Sequence, residues 1–123
     1  MSFKDSLSIE VELEELVNQE ARILSFSLLR GLTKVTPVDT GRARGNWFVG
    51  LNTPNRTVSE NRSASTALSD GTATINKTES VVYPSIIISN NLPYIERLND
   101  GHSQQAPAKF VESEISRIVN SRK

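Results

Sequence analysis

Apolar residues at Leu13, Val17, Ala21, Leu24, Leu28, Leu32 and Val35 follow one another at steps of three or four, the spacing that lines up side chains along one side of an α-helix. This predicts one long helix over 8–35. Ser8 would be its N-cap, the glutamates would sit in the first turns, where the macrodipole favours them, and Thr36-Pro37 would stop it. At 1.5 Å per residue it would be roughly 40 Å long. Leu16, Ile23, Phe26 and Leu29 widen its apolar surface beyond one stripe, so part of that surface is expected to meet another subunit. Two later runs are strand-like. Residues 46–51 (NWFVGL) form one, and 81–89, with Val81-Val82-Tyr83 and Ile86-Ile87-Ile88, form the other; Pro84 within the second implies an edge or a bulge.

The rest of the pattern is shorter in period. Asn90 and Asn91 are expected to stop the second strand. Pro93 suits the first turn of a short helix over 93–99, with Ile95 and Leu98 on its apolar side and Gly101 in the left-handed position that follows a helix. A polar turn through Gln104 and Gln105 then leads to Ala106-Pro107 and a closing helix over 107–121, striped by Val111, Ile115, Ile118 and Val119 with Phe110 alongside. Residues 52–70 are polar, poor in aromatics and rich in Asn, Ser and Thr. They read as an exposed, mobile loop or arm. Ser69 or Asp70 caps a short helix ending near Thr78. The chain is therefore expected to be one α+β domain over 1–123, with a long N-terminal helix and a C-terminal helix packed on a small, mainly antiparallel sheet.

Composition narrows the chemistry more than the fold. Cysteine is absent and His102 is the lone histidine, which removes disulfides, thiol nucleophiles and thiolate metal sites, and leaves a triad or multi-histidine centre to be completed from another subunit or from carboxylates alone. No apolar run approaches the ~20 residues of a membrane span, and the first residues lack the basic-then-apolar order of a secretory signal, so cytosolic synthesis is expected. Net charge is zero but unevenly spread. Residues 1–29 carry six acidic against two basic side chains, and residues 30–62 carry six basic (Arg30, Lys34, Arg42, Arg44, Arg56, Arg62) against two acidic. Such segregation suits association between unlike faces. It also leaves open a small DNA-binding regulatory module built on 30–62, which the zero net charge weakens.

Asp39, Glu96, Asp100 and His102 are the nearest approach to a metal or acid–base site, but the alternating ligands of a calcium loop are missing and no glutamate closes one. The blander reading is a solvated helix end. In TPVDTGRARGNW (36–47), Arg42 and Arg44 belong either to a capped turn leading into a strand or to a basic loop that contacts phosphates or carboxylates.

This segment and NNLPYIERLNDGHSQQAP (90–107), in that order, with a long helix before the first and a helix after the second, resemble the signature segments of a tailed-bacteriophage family. These are the small neck or tail-completion proteins of long-tailed phages, related to the tail-completion minor tail protein of phage lambda. The resemblance covers nearly the whole chain outside the 52–70 loop. It implies a structural virion protein with no catalytic activity and no cofactor or metal, made in the host cytoplasm. Such a protein would form a homo-oligomeric ring at the head–tail junction, six-fold by the usual symmetry of such tails. Its partners would be head-closure or connector proteins on one side and tail-terminator or tail-tube proteins on the other, with DNA only passing through the channel. Under this reading Arg42, Arg44 and Trp47, together with Tyr94, Glu96 and Arg97, are candidate interface or channel residues.

Overall fold

A computed structural model of the 123-residue chain describes residues 7–12, 18–37, 42–79, 85–93, 95–101 and 108–121. It is an α+β fold built around a three-stranded antiparallel sheet. The strands are β1 (Leu7–Glu12), β2 (Trp47–Leu51) and β3 (Ser85–Asn90), in the order β1-β3-β2. The helices are α1 (Asn18–Val35), α2 (Ala64–Asn76), α3 (Ile95–Asn99) and α4 (Phe110–Ser121). Among the described residues no helix is long and apolar enough to cross a membrane.

The largest correction to the sequence reading is at the start. Residues 7–12 do not begin a helix; they form the edge strand β1. Leu7, Ile9 and Val11 alternate with Ser8, Glu10 and Glu12, which is a strand period and cannot supply a helical stripe. Helix α1 begins at Asn18 and is about 27 Å long at 1.5 Å per residue. Leu13 and Val17 of the expected stripe, and Leu16 beside it, lie outside the described residues.

Register explains which side chains make the core. Ile88 faces both Ile9 and Val49 across the ladder, Ile86 faces Val11 and Leu51, and Asn90 faces Leu7 and Trp47. Directly paired residues share a face, so these line the side covered by the helices. There they pack with Leu24, Leu28, Leu29 and Leu32 of α1, Ile75 of α2, and Phe110, Val111 and Ile118 of α4. All six residues of β3 are buried, so this strand is covered on both faces. The apolar surface of α1 is consequently consumed within the chain: Leu29 is fully buried and Phe26 half-buried, and of the described residues that seemed surplus only Ile23, 55% exposed, still faces outward.

The second face of the sheet is covered by the segment predicted to be a mobile arm. Ser89 Oγ and Asn91 Nδ2 donate to Asn55 O at 3.0 and 2.8 Å. Asn46 Nδ2 donates to Ser59 O at 2.9 Å, and its Oδ1 accepts from Ser59 N at 2.8 Å. Arg62 donates to Gly45 O and Trp47 O at 3.1 and 2.7 Å, with its guanidinium 3.8 Å from the centroid of the Phe48 ring. Residues 52–63 are thus held to the sheet and its neighbours through their own backbone groups at Asn55 and Ser59 and through the Arg62 side chain. From residue 64 onward the segment is helical: Ser63 caps α2 by accepting from Thr66 N at 3.1 Å, several residues before the expected start. Its buried side is Ala67, Gly71 and Ile75, too small and too sparse to register as a stripe.

The remaining elements follow their signals closely. β2 and β3 lie within the two predicted strands, with β3 running one residue further to Asn90; residues 81–84, including Pro84, are outside the described set. The short helix starts at Ile95 rather than Pro93, after a turn in which Ile95 N donates to Leu92 O at 3.0 Å. Gly101 has φ of 102°, the left-handed conformation expected of it. In α4, Val119 is 39% exposed and Glu114 is buried, the reverse of what the apolar stripe predicted.

Replacing Arg62 by Leu leaves the carbonyls of Gly45 and Trp47 without its donors and should lower stability by about 2–3 kcal/mol. The same change at the exposed Arg56 should stay within ~0.5 kcal/mol. Urea unfolding of the two variants measures the difference, and equal small effects would return 52–63 to the status of a free arm.

Candidate functional site

The segment 36–47 turns the chain from α1 into β2, and each polar side chain described in it makes at least one hydrogen bond within the chain. Thr36 Oγ1 donates to Leu32 O at 2.6 Å and accepts from Trp47 Nε1 at 2.9 Å. Arg44 donates through Nε to Thr36 O at 2.7 Å and through a terminal nitrogen to Lys34 O at 2.9 Å. These are carbonyls at the C-terminal end of α1, which have no partner inside the helix, and a cation there also opposes the helix dipole. Arg42 pairs with Glu60. Asn46, fully buried, donates to Arg42 O at 2.7 Å as well as to Ser59 O. Of the two readings of this segment, the described part matches the capped turn.

The second segment, 90–107, is attached directly to the first. Asn90 Nδ2 donates to Ala43 O at 2.9 Å, and its Oδ1 accepts from Leu92 N at 3.2 Å. Ala43, Leu92 and Ile95 form a small core of their own, flanked by Leu7 and Leu98. Asn99 then carries the segment to α4. Its Oδ1 accepts from Val111 N at 2.9 Å, and its Nδ2 donates to Glu112 Oε1 at 2.7 Å. A side chain from another helix thus caps the free donors at the α4 N-terminus.

The predicted site residues are therefore distributed as follows. Trp47 is fully buried; it anchors the corner and offers no surface to a partner or channel. Arg42 and Arg44 reach inward to Glu60 and to the end of α1. Arg97 is exposed and Glu96 half-buried on α3. Tyr94 lies outside the described residues, as do Asp39 and His102 of the suggested metal or acid–base set. Its remaining members, Glu96 and Asp100, both border a groove beside β1, where Asp100 pairs with Lys109 at 3.4 Å. Among the described residues no three His, Asp or Glu side chains come close enough together to hold a metal ion.

Sequence reasoning missed the one buried carboxylate of the described core. Glu114 projects between α4 and α1 and is held by two hydrogen bonds from Arg117, one of them 3.0 Å long. A Cβ added to Gly31 would stand 2.3 Å from Glu114 Oε2, so this glycine makes room for the carboxylate. The Arg117 hydrogen bonds hold the Glu114 carboxyl below its ordinary range against the opposing effect of burial, and the positive charges of Arg117 and Lys34 act in the same direction as those bonds. The available signal was Gly31 in mid-helix together with a glutamate three residues from both Val111 and Arg117.

No family model, curated protein or solved structure matches the chain.

Two outcomes test this description. Thr36→Val removes the acceptor that Trp47 Nε1 has among the described residues and should cost about 1–3 kcal/mol. Trp47 is the sole tryptophan, so its fluorescence during urea unfolding reads this corner directly; an unchanged midpoint would show the bond to be dispensable. The second outcome concerns pH. Because the folded-state pKa of Glu114 is depressed, its stabilisation is fully present above the unfolded carboxylate range and drains away as pH falls through the lower folded value. Glu114→Gln should therefore be less stable than the parent at neutral pH, and the gap should close on acidification. A gap that stays constant across the carboxylate range would remove Glu114 from the account.

Proposed function

We propose that this chain is a structural virion protein of a tailed phage, a neck or tail-completion subunit that forms a ring around the DNA channel and joins tail to head. The reading starts from the resemblance of 36–47 and 90–107 to the signature segments of that family. The observation that carries it is that these two segments, more than forty residues apart in sequence, form one joint. They are linked by the Asn90–Ala43 hydrogen bond and by the shared cluster of Ala43, Leu92 and Ile95. A subunit that transmits load between head and tail needs such a rigid corner more than it needs a pocket. Its partners in this reading are further copies of itself, a head-closure or connector protein, and a tail-terminator or tail-tube protein; DNA is passing cargo.

The rival reading, a DNA-binding module on 30–62, is weakened because three of that segment's six cations are used within the chain, while Arg30, Lys34 and Arg56 stay exposed. Arg42, Arg44 and Arg62 are engaged with Glu60, with the end of α1, and with β2 and Asp70. Phosphate contacts would need those groups outward.

Purified protein should sediment as a closed oligomer, alone at high concentration or on addition of tail tubes, and should show little salt-dependent affinity for free duplex. Gly101→Val, which forces a β-branched residue into φ of 102° with its Cβ 3.2 Å from Ala108 Cβ, should impair assembly or tail joining. A protein that stays monomeric under both conditions, or one that binds duplex tightly with a steep salt dependence, would overturn the reading.

A further inference from the structure

Two surfaces on opposite flanks of α4 are chemically complementary. On one flank, Ile23, Ser27, Arg30 and Lys34 of α1 recur at helical spacing and fall within about 60° of one another around the helix, over roughly 16 Å of its length. Ile23, Arg30 and Lys34 are exposed, and among the described residues neither cation has an ion-pair partner. The stripe forms the outer lip of the groove that holds Glu114. It carries an exposed isoleucine at one end and two cations at the other.

On the other flank, β1 and the α3–α4 corner enclose a groove of about 300 Å³. Leu7, Ile9, Val111 and Ile115 line it with apolar surface, and Glu96, Asp100 and Glu112 put three carboxylates on it against Lys109, the one cation among its described lining residues, which pairs with Asp100. Asp100 is exposed and Glu96 half-buried, so both carboxylates can meet a partner. The groove therefore has what the stripe lacks: an apolar recess and an excess of negative charge.

We infer that the α1 stripe of one copy seats in the β1–α3–α4 groove of the next, with Ile23 against the apolar recess and Arg30 and Lys34 against Glu96 and Asp100. The occupant is a second copy because the same chain carries both halves, and because a half-exposed isoleucine in line with the cations suits a protein partner better than a phosphate backbone. The two patches are unlike and draw on different sides of α4, so the contact is head to tail, the kind that generates a ring when its rotation closes. This inference rests on the ring reading and names its interface.

Charge reversal tests it. Arg30→Glu with Lys34→Glu makes both patches acidic, and Glu96→Lys with Asp100→Lys makes both basic. Each double variant alone should lose self-association by on the order of 100-fold at low salt, since like charges then face one another. An equimolar mixture should assemble again, because each variant's stripe then matches the other's groove. Ile23→Asp supplies a second disruption of the same contact at an exposed position, and circular dichroism verifies that each variant is folded. If the parent assembles and the reversed variants assemble equally well, or if the mixture fails to recover, the interface is wrong while the ring reading stands. A parent that is monomeric throughout overturns both. Loss of duplex binding in the Arg30–Lys34 variant with assembly unchanged would assign the stripe to nucleic acid instead.

Discussion

The hydrogen bond from Trp47 to Thr36 is the constraint on which the rest of the molecule depends. It joins the last turn of α1 to the first residue of β2, and both side chains are fully buried. An indole N–H sealed from water without a partner would cost about 1–3 kcal/mol, a large share of the stability of a domain of this size. Arg44 completes the corner by taking the open carbonyls of Lys34 and Thr36. With the helix end and strand start locked, β2 enters the sheet at one register, and that register places Trp47 and Val49 in the core.

The same corner positions the cover of the sheet. Gly45 and Asn46 lie immediately before β2, and Arg62 and Ser59 dock on them through backbone and carboxamide groups. A Cβ on Gly45 would stand 1.7 Å from Arg62 O, so the close approach of these two segments requires glycine there. Once 52–63 is seated, β3 is shielded on both faces, which explains why Ser85 and Ser89 are as buried as the isoleucines between them. A strand covered on both sides has no solvent-facing positions, and its run of isoleucines is what such burial demands.

The legibility of the fold followed the strength of its local signals. β2, β3 and the two C-terminal helices were readable because apolar runs and turn residues agree there. The strand β1 was misread because its short alternation sits directly before a helical stripe, and the glutamates serve equally as helix N-terminal charges and as strand outer positions. The cover segment was misread for a different reason: its contacts are long-range polar bonds from Asn46, Asn91 and Arg62, and composition records polarity without saying whether water or the protein satisfies it. The candidate residues behaved likewise. Trp47 and the arginines of 36–47 were identifiable as important, but a buried anchor and an interface anchor draw on the same residue types, and burial alone separates them.

Charge illustrates how far a linear pattern can differ from the surface it produces. Along the sequence, 30–62 is a basic block following an acidic one. In the fold that block divides: Arg42, Arg44 and Arg62 turn inward to satisfy carbonyls and carboxylates, whereas Arg30 and Lys34 remain on the outer face of α1. In the proposed interface the counterpart of those two cations is not the acidic N-terminal block but Glu96 and Asp100, from a part of the sequence with no marked excess of charge. The electrostatic asymmetry of that proposed contact is created by topology. β1, α3 and α4 bring dispersed carboxylates to one groove, while helical periodicity lines up two cations and an isoleucine on the opposite flank.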